Sequence, residues 1–445
     1  MMNIKILIIV ISLHYINNIS LPIIRKPLSQ IAKRKHPLFT NFNANVCIGS
    51  PKQCFDMLVD PIYPYIWVTD SLSDSIKDRK KKYALAYSQT KSFDIDERDI
   101  DYRDGLSIFG YIVTDDFAFT STELNVHLMF LDAKKVTNGD DITGVIGLNH
   151  TDSFASLIDN LIKKKNIISH NIITIKLNRD INTNFGEITL GEIPSYMIGV
   201  ASDYFGTCKG TGYRCDINSV KILRTNGEDE GPYDIDEEVI FDLNTNRIIV
   251  PSYFMYYIEI EVIKRLLDKN KCIDYQVNSE GEKEYISFIC DSIDGEDSGG
   301  FVFVFDHYGM KIRFGDMFKK TDRGYELIFI STKGQEEWIF GLPIFELFEM
   351  TFDKDKELIG FYSKMNTVKV YEGPRAPIYL EGSKKDKESK SSFLFSFGTF
   401  SYCIMFLVFI IFIFVLFLFI RKKRRDYLRE KPIEVEFNMK ARMIE

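Results

Sequence analysis

Histidine and cysteine are both scarce, with six His and seven Cys in 445 residues. The histidines are scattered and no CxxC pair occurs, which argues against a zinc site. Basic residues do not outnumber acidic ones. The net charge of −7 argues against nucleic acid as a partner. No Gly/Pro/Ser-rich bias runs through the bulk of the chain, so disorder is not the default reading. Aromatic residues, by contrast, are plentiful, with 36 Phe and 23 Tyr. They can fill a large core, and the length suits two lobes of ordinary domain size.

Charge is absent altogether from one stretch, Phe400 to Ile420, and Arg421-Lys422-Lys423-Arg424-Arg425 follows it at once. About 20 apolar residues reach across a bilayer core, and the basic cluster would stay on the cytoplasmic side. At the other end, Lys5 precedes the apolar run Ile6 to Leu13, which has signal-peptide length and is too short to span. The expectation is a single-pass type I membrane protein of the secretory pathway, with its ectodomain at the cell surface or in an endolysosomal lumen. The expected layout is a signal peptide over 1–20, a short, exposed basic leader over 21–37, and a folded region to about Tyr371. A polar juxtamembrane stalk then covers 372–392, a transmembrane helix 393–420 and a cytoplasmic tail 421–445.

Six cysteines fall in the expected lumenal part, and an even count there suggests disulfides. Six cysteines allow many connectivities. The local pairing Cys47–Cys54, Cys208–Cys215 and Cys272–Cys290 is expected because each pair flanks a probable turn. Cys403 lies in the membrane segment and is expected to be unpaired. Asn149-His150-Thr151 is a glycosylation sequon.

From Leu38 to Tyr371 short apolar runs rich in Val, Ile, Tyr and Phe recur between Gly, Asn and Asp, which reads as all-β. Examples are Ile172 to Ile175, Glu187 to Leu190, Glu238 to Phe241, Phe301 to Phe305 and Trp338 to Phe340. Helical spacing interrupts at Ser153 to Lys165 and at Ser252 to Lys269. The stripe Phe154, Leu157, Ile158, Leu161 in the first is read as core packing.

Two segments about 180 residues apart share one design. Val46-Cys47-Ile48-Gly49-Ser50-Pro51-Lys52-Gln53-Cys54-Phe55-Asp56-Met57-Leu58-Val59-Asp60 is a strand, a Gly-Ser-Pro turn, and a second strand ending on an aspartate. Val239-Ile240-Phe241-Asp242 again delivers an aspartate from an apolar strand to a turn. A lone Asp at a strand end is usually a turn residue; two in matching frames ask for another explanation.

The first segment resembles the pepsin-family run I-G-T-P-x-Q-x-F-x-x-x-x-D-T-G-S-x-x-x-W-V, with Gly49, Pro51, Gln53, Phe55, Asp60, Trp67 and Val68 in place. The second resembles D-T-G-T-x-x-x-x-x-P through Asp242, Thr245 and Pro251. Tyr102-Arg103-Asp104-Gly105 resembles the tip of the family's β-hairpin flap. Gly144-Val145-Ile146-Gly147-Leu148 resembles G-I-L-G-L, and Gly186 to Gly191 resembles G-x-L-x-L-G. Trp338-Ile339-Phe340-Gly341 resembles W-I-L-G. Phe352-Asp353 with Ile359-Gly360-Phe361 resembles the closing strands. The ordered set spans Phe39 to Ser363.

The resemblance implies an all-β, two-lobe pepsin-like acid protease fold, with lobes at 38–191 and 192–371 and a cleft between them. It implies catalytic Asp60 and Asp242, substrate-binding Tyr102, Trp67, Gly105 and Thr245, and no cofactor or metal. The ligand would be an extended peptide or protein bound as an added strand. Each Asp-Thr-Gly is altered, to Asp60-Pro61-Ile62 and Asp242-Leu243-Asn244. Pro61 and Leu243 have no hydroxyl, so the family's threonine bonds across the lobe interface are not expected. Tyr63 replaces the small hydroxyl residue of the first motif. The functions implied are a membrane-anchored aspartic endopeptidase of weak activity, or a catalytically silent peptide-binding or adhesive ectodomain.

Overall fold

The structure is a computed structural model that describes residues 19–369, apart from 27–37, 74–81, 103–105, 121–124, 138–141, 150–155, 165–166, 179–184, 199–203, 225–228, 279–283, 294–298 and 333. Strands dominate, as the short β-branched and aromatic runs require.

The N-terminal lobe is built from β2 to β8, after the outlying strand β1 (Ile19–Lys26). β2 (Asn41–Ile48) and β3 (Gln53–Asp60) form a hairpin, followed by β4 (Ile66–Thr69). β5 (Ser92–Asp101), β6 (Ser107–Phe119) and β7 (Asn125–Thr137) form an antiparallel meander, and β8 is Gly144–Gly147. β3 runs parallel to β8, pairing Leu58 with Val145 and Asp60 with Gly147, while β4 pairs antiparallel with the same strand. Three strands so crossed carry Asp60 to a point in the interior: the residue is fully buried.

β9 (Ile172–Leu177) and β10 (Phe185–Leu190) close the first half. The second half repeats the crossing. After β11 (Phe205–Thr211) and β12 (Arg214–Leu223), β13 (Glu230–Phe241) runs parallel to Trp338–Phe340, and that segment pairs antiparallel with β14 (Ile248–Ile249). Between them lie β15 (Cys272–Asn278), β16 (Glu284–Cys290), β17 (Gly300–Phe305), β18 (Tyr308–Arg313), β19 (Phe318–Thr321), β20 (Gly324–Leu327) and β21 (Phe329–Thr332). β22 is Trp338–Phe340, and β23 (Glu349–Asp353) and β24 (Leu358–Tyr362) form the final long hairpin. Phe254, Phe303, Trp338 and Phe340 stack edge to face or tilted under β13, with ring centroids 4.7–6.2 Å apart. Each such ring removes a large apolar area from water, on the order of 2–3 kcal/mol apiece. Trp338 also satisfies its indole N–H, which donates to Glu237 Oε2 at 2.6 Å.

One antiparallel sheet joins the halves, in the order β1-β10-β9-β23-β24-β11. β1 departs from the expected exposed leader. Ile19, Leu21 and Ile23 are buried on one face while Ser20, Pro22 and Ile24 face out, the period-two pattern of a half-buried strand. The expected boundary at residue 20 falls inside it.

The helical patterns hold in shortened form. Leu157–Asp159 and Asn160–Lys164 make one short helical stretch with Leu157, Ile158 and Leu161 in the core. Ser252–Ile258, Glu259–Ile263 and Lys264–Asp268 make the other. Among the described residues no helix is long and apolar enough to cross a membrane; the expected signal peptide up to residue 18, stalk, membrane helix with Cys403, and tail lie outside them.

Two disulfides are present, Cys47–Cys54 and Cys272–Cys290, and in both the register sets the cysteines directly opposite each other. The expected third bond is not formed: Cys208 and Cys215 are buried free thiols. The hairpin register explains this, because β12 places Cys215 opposite Gly210 and leaves Cys208 two residues further along. Burial, together with the neighbouring Cys208 side chain, pushes the Cys215 thiol well above its ordinary pKa.

Candidate active site

The strand crossings deliver Asp60 and Asp242 to two turns that touch across the lobe boundary. Asp60 Oδ1 accepts the backbone N–H groups of Ile62 (3.0 Å) and Tyr63 (3.2 Å). Its other oxygen, Oδ2, accepts the hydroxyl of Tyr102 at 2.6 Å. Tyr102 stands at the tip of the β5–β6 hairpin, which its own N–H closes by donating to Leu106 O at 2.7 Å. Arg103 and Gly105 lie outside the described residues.

Asp242 has a related but distinct environment. Oδ1 accepts the N–H of Asn244 (3.0 Å) and Oδ2 accepts the hydroxyl of Thr245 (2.7 Å). The Asp242 N–H donates to Phe340 O at 3.0 Å, and the Leu148 N–H donates to Asp60 O at 3.0 Å, so each turn is tied to the strand that crosses behind it.

At the two aspartate turns themselves, no threonine side chain among the described residues reaches across, but Asn244 does: its Nδ2 donates to Val59 O at 3.3 Å. The residue at the family's glycine position thus supplies a cross-lobe bond that Leu243 cannot. Leu243 is fully buried in the main core and Ile62 packs against that core. Backbone adds a second grip. The Thr40 N–H donates to Asn244 O and the Asn246 N–H to Leu38 O, both at 2.7 Å, around an isolated bridge from Phe39 to Thr245.

Aromatic residues wall the Asp60 side. The Tyr63 ring meets Tyr102 edge-on at 4.5 Å and Tyr65 at 5.4 Å. Burial, and then the nearby Tyr65 and Asp60, push the Tyr63 hydroxyl far above its ordinary pKa, so it stays protonated. Trp67 is fully buried behind this wall in a cluster with Tyr63 and Tyr102, so it backs the cleft and does not line it. Tyr213, at the β11–β12 turn, is wholly buried. Its hydroxyl is raised by burial and by the charge of Asp60 across the lobe boundary.

Tyr63 Oη, Trp67 Nε1, Tyr213 Oη and Asn244 Oδ1 are buried without a protein hydrogen-bond partner. Buried polar groups of this kind are met by ordered water or by a ligand. Tyr63, Tyr213 and Asn244 neighbour the two aspartates and give the site polar atoms suited to holding water.

Asn149 serves the site and not the surface. Its Nδ2, the atom that a glycan would occupy, donates to Ile62 O at 2.8 Å, and its N–H donates to Tyr63 O at 3.1 Å. The expected Asp60, Asp242, Tyr102 and Thr245 all converge on these turns. Sequence reasoning missed Asn244, Tyr213, Asn149 and Lys354. Asn244 was readable as a donor at a glycine position; Lys354 meets its partner Asn149 from 205 residues away.

Two β lobes, each bringing an aspartate to the shared boundary from a crossed parallel pair of strands, define a pepsin-like architecture. The model of the eukaryotic aspartyl protease family matches residues 41–364, well over half of the chain, and the chain belongs to that family. A comparison with curated proteins finds no match.

Proposed function

We propose that the chain is a membrane-anchored aspartic endopeptidase that cleaves extended peptides through Asp60, Asp242 and a water between them. The observation that carries this reading is the matched frame of the two carboxylates, each of whose Oδ1 accepts the backbone N–H two residues on at 3.0 Å. In this reading the two carboxyls work as one acid–base pair. One carboxylate then takes a proton from the attacking water while the other gives one to the scissile carbonyl oxygen. As the tetrahedral intermediate collapses, the carboxyl that took the water's proton gives it to the nitrogen, the C–N bond breaks and the amine leaves, and the other carboxylate takes back the proton from the hydroxyl. A peptide strand entering the cleft displaces the Tyr102 hydroxyl from Asp60. The uncharged stretch Phe400 to Ile420 with its basic flank supports the anchor and a secretory-pathway location.

The test is digestion of a peptide library at acidic pH by wild type and Asp60→Ala. Cleavage by wild type that disappears in the variant supports the reading. A second reading, a silent peptide-binding ectodomain, is favoured by the Tyr102 bond onto a fully buried Asp60. Saturable binding of extended peptides with no cleavage by wild type would select it.

A further inference from the structure

The peptide group that holds Asp60 is itself held. The Tyr63 N–H donates to Asp60 Oδ1, and the carbonyl of the same peptide unit, Ile62 O, accepts Asn149 Nδ2 at 2.8 Å. Asn149 Oδ1 in turn accepts Lys354 Nζ at 2.7 Å. Three hydrogen bonds join four groups in series: ammonium, side-chain amide, backbone amide, carboxylate. An amide that accepts a charged donor at its oxygen becomes a stronger donor at its nitrogen, because hydrogen bonds in a chain polarise one another. Each amide here accepts at oxygen on the side of Lys354 and donates at nitrogen on the side of Asp60.

Lys354 is placed for this by the fold. It follows β23 directly, and its N–H donates to Asn171 O at 3.0 Å, which pins the hairpin beside the N-terminal lobe. Its ammonium also lies 5.0 Å from the centre of the Tyr213 ring, the residue that faces Asp60 from the other lobe. Asp159, on the short helix after β8, is the carboxylate whose charge bears on it. Nearby carboxylates on its own hairpin are engaged elsewhere, Asp355 with His170 and Asp353 with Lys356.

We propose that Lys354 is a positioning residue for Asp60, acting through Asn149 and the Ile62–Tyr63 peptide, in place of the small hydroxyl residue that Tyr63 replaces. This rests on the protease reading for its catalytic consequence, but not for the relay itself. Burial lowers Lys354 to about 8, which makes its charge switchable within an accessible pH range.

The experiment uses the full-length chain with isotope-labelled tyrosine, the Tyr63 backbone amide being assigned by its loss in Tyr63→Phe. The amide proton shift of Tyr63 is followed from acidic to alkaline pH. In wild type it inflects with a midpoint at about 8. In Lys354→Met the inflection is gone. In Asn149→Ala, which keeps the cation and cuts the chain, it is gone as well; this variant decides the matter should Lys354→Met fail to fold. Lys354→Arg, charged throughout, shows no inflection and keeps the shift that wild type has at low pH. If Tyr63 shows no inflection in wild type, or the same one in Asn149→Ala, the relay is wrong. In a cleavage assay Lys354→Met lowers kcat about tenfold or more with KM little changed, and Lys354→Arg restores most of it. An intact relay in a wild type that cleaves nothing would overturn the protease reading alone.

Discussion

Asp60 and Asp242 each accept the N–H of the residue two positions on, at the same 3.0 Å, but beyond that shared bond their surroundings diverge. Asp242 keeps a hydroxyl on its own turn, from Thr245, and its turn is gripped by the segment around Phe39. Asp60 has Tyr63 at the position equivalent to Thr245, and the Tyr63 hydroxyl makes no bond to it. Its second oxygen is met by a tyrosine from a distant hairpin, and its turn is backed by Asn149. A carboxylate frame therefore survives loss of its usual side chains when other donors reach the same lone pairs. What the family resemblance locates is the frame; the donors are interchangeable.

The largest test of that comparison is removal of each carboxylate in turn. If both lobes contribute equally to one dyad, Asp60→Asn and Asp242→Asn each lower cleavage about a thousandfold or more. A loss confined to one of them in the peptide digest would break the symmetry. Next comes the hydroxyl. Thr245→Ala removes a charge-assisted bond of about 1.5–3 kcal/mol and should cost roughly tenfold to a hundredfold in kcat. Tyr63→Phe should leave kcat within about twofold, since it deletes a hydroxyl that makes no bond to Asp60. Equal losses in steady-state assays would mean that the two positions are not different after all.

The lobes also differ in how they bury charge. In the C-terminal lobe Glu326 is met by two arginines, Arg247 and Arg323. In the N-terminal lobe Asp70 and Asp132 share a single Lys134, at 2.6 and 3.0 Å. Burial, and then the charge of Asp70, raise Asp132 to about 7. The folded state thus holds a proton on Asp132 that the unfolded chain releases near pH 4. That contribution to stability is complete below about pH 4 and is lost as pH rises through about 7. Urea unfolding should show a fall of at least about 1 kcal/mol between those limits, and Asp132→Asn should flatten it. An unchanged slope in the variant would move the pH sensitivity elsewhere. The smallest effect concerns the boundary itself. Asn244→Ala removes the bond to Val59 O and should lower unfolding free energy by about 1 kcal/mol. A midpoint that does not move would show that the backbone grip around Phe39 suffices.

Much of the fold could be read before the structure. Alternating apolar strands, the repeated Asp-bearing design and the ordered Gly and Trp positions pointed to two β lobes. Of the stripe Phe154, Leu157, Ile158, Leu161 that was read as core, the last three are core, and Phe154 lies outside the described residues. Reading failed where a residue's role depends on strand register. Cys208 and Cys215 flank a turn as the bonded pairs do, but only the register shows that they are not opposite each other. The basic segment after residue 20 looked exposed because its charges stand out. Its alternation of Ile19, Leu21 and Ile23 was the signal that it pairs.

By itself the sequence determined which residues could do chemistry and where they sit on their strands, because apolar periodicity and turn residues act locally. Local rules placed Asp60 and Asp242 at strand ends, and the family resemblance placed Tyr102 at a hairpin tip. Tertiary structure alone decided which remote residues brace those two turns. Asn244 reaches Val59, and Lys354 reaches Asn149, only because the crossed strands and the joining sheet bring residues remote in the chain within hydrogen-bond range. Such contacts depend on distance and direction in space, and no spacing along the chain encodes either.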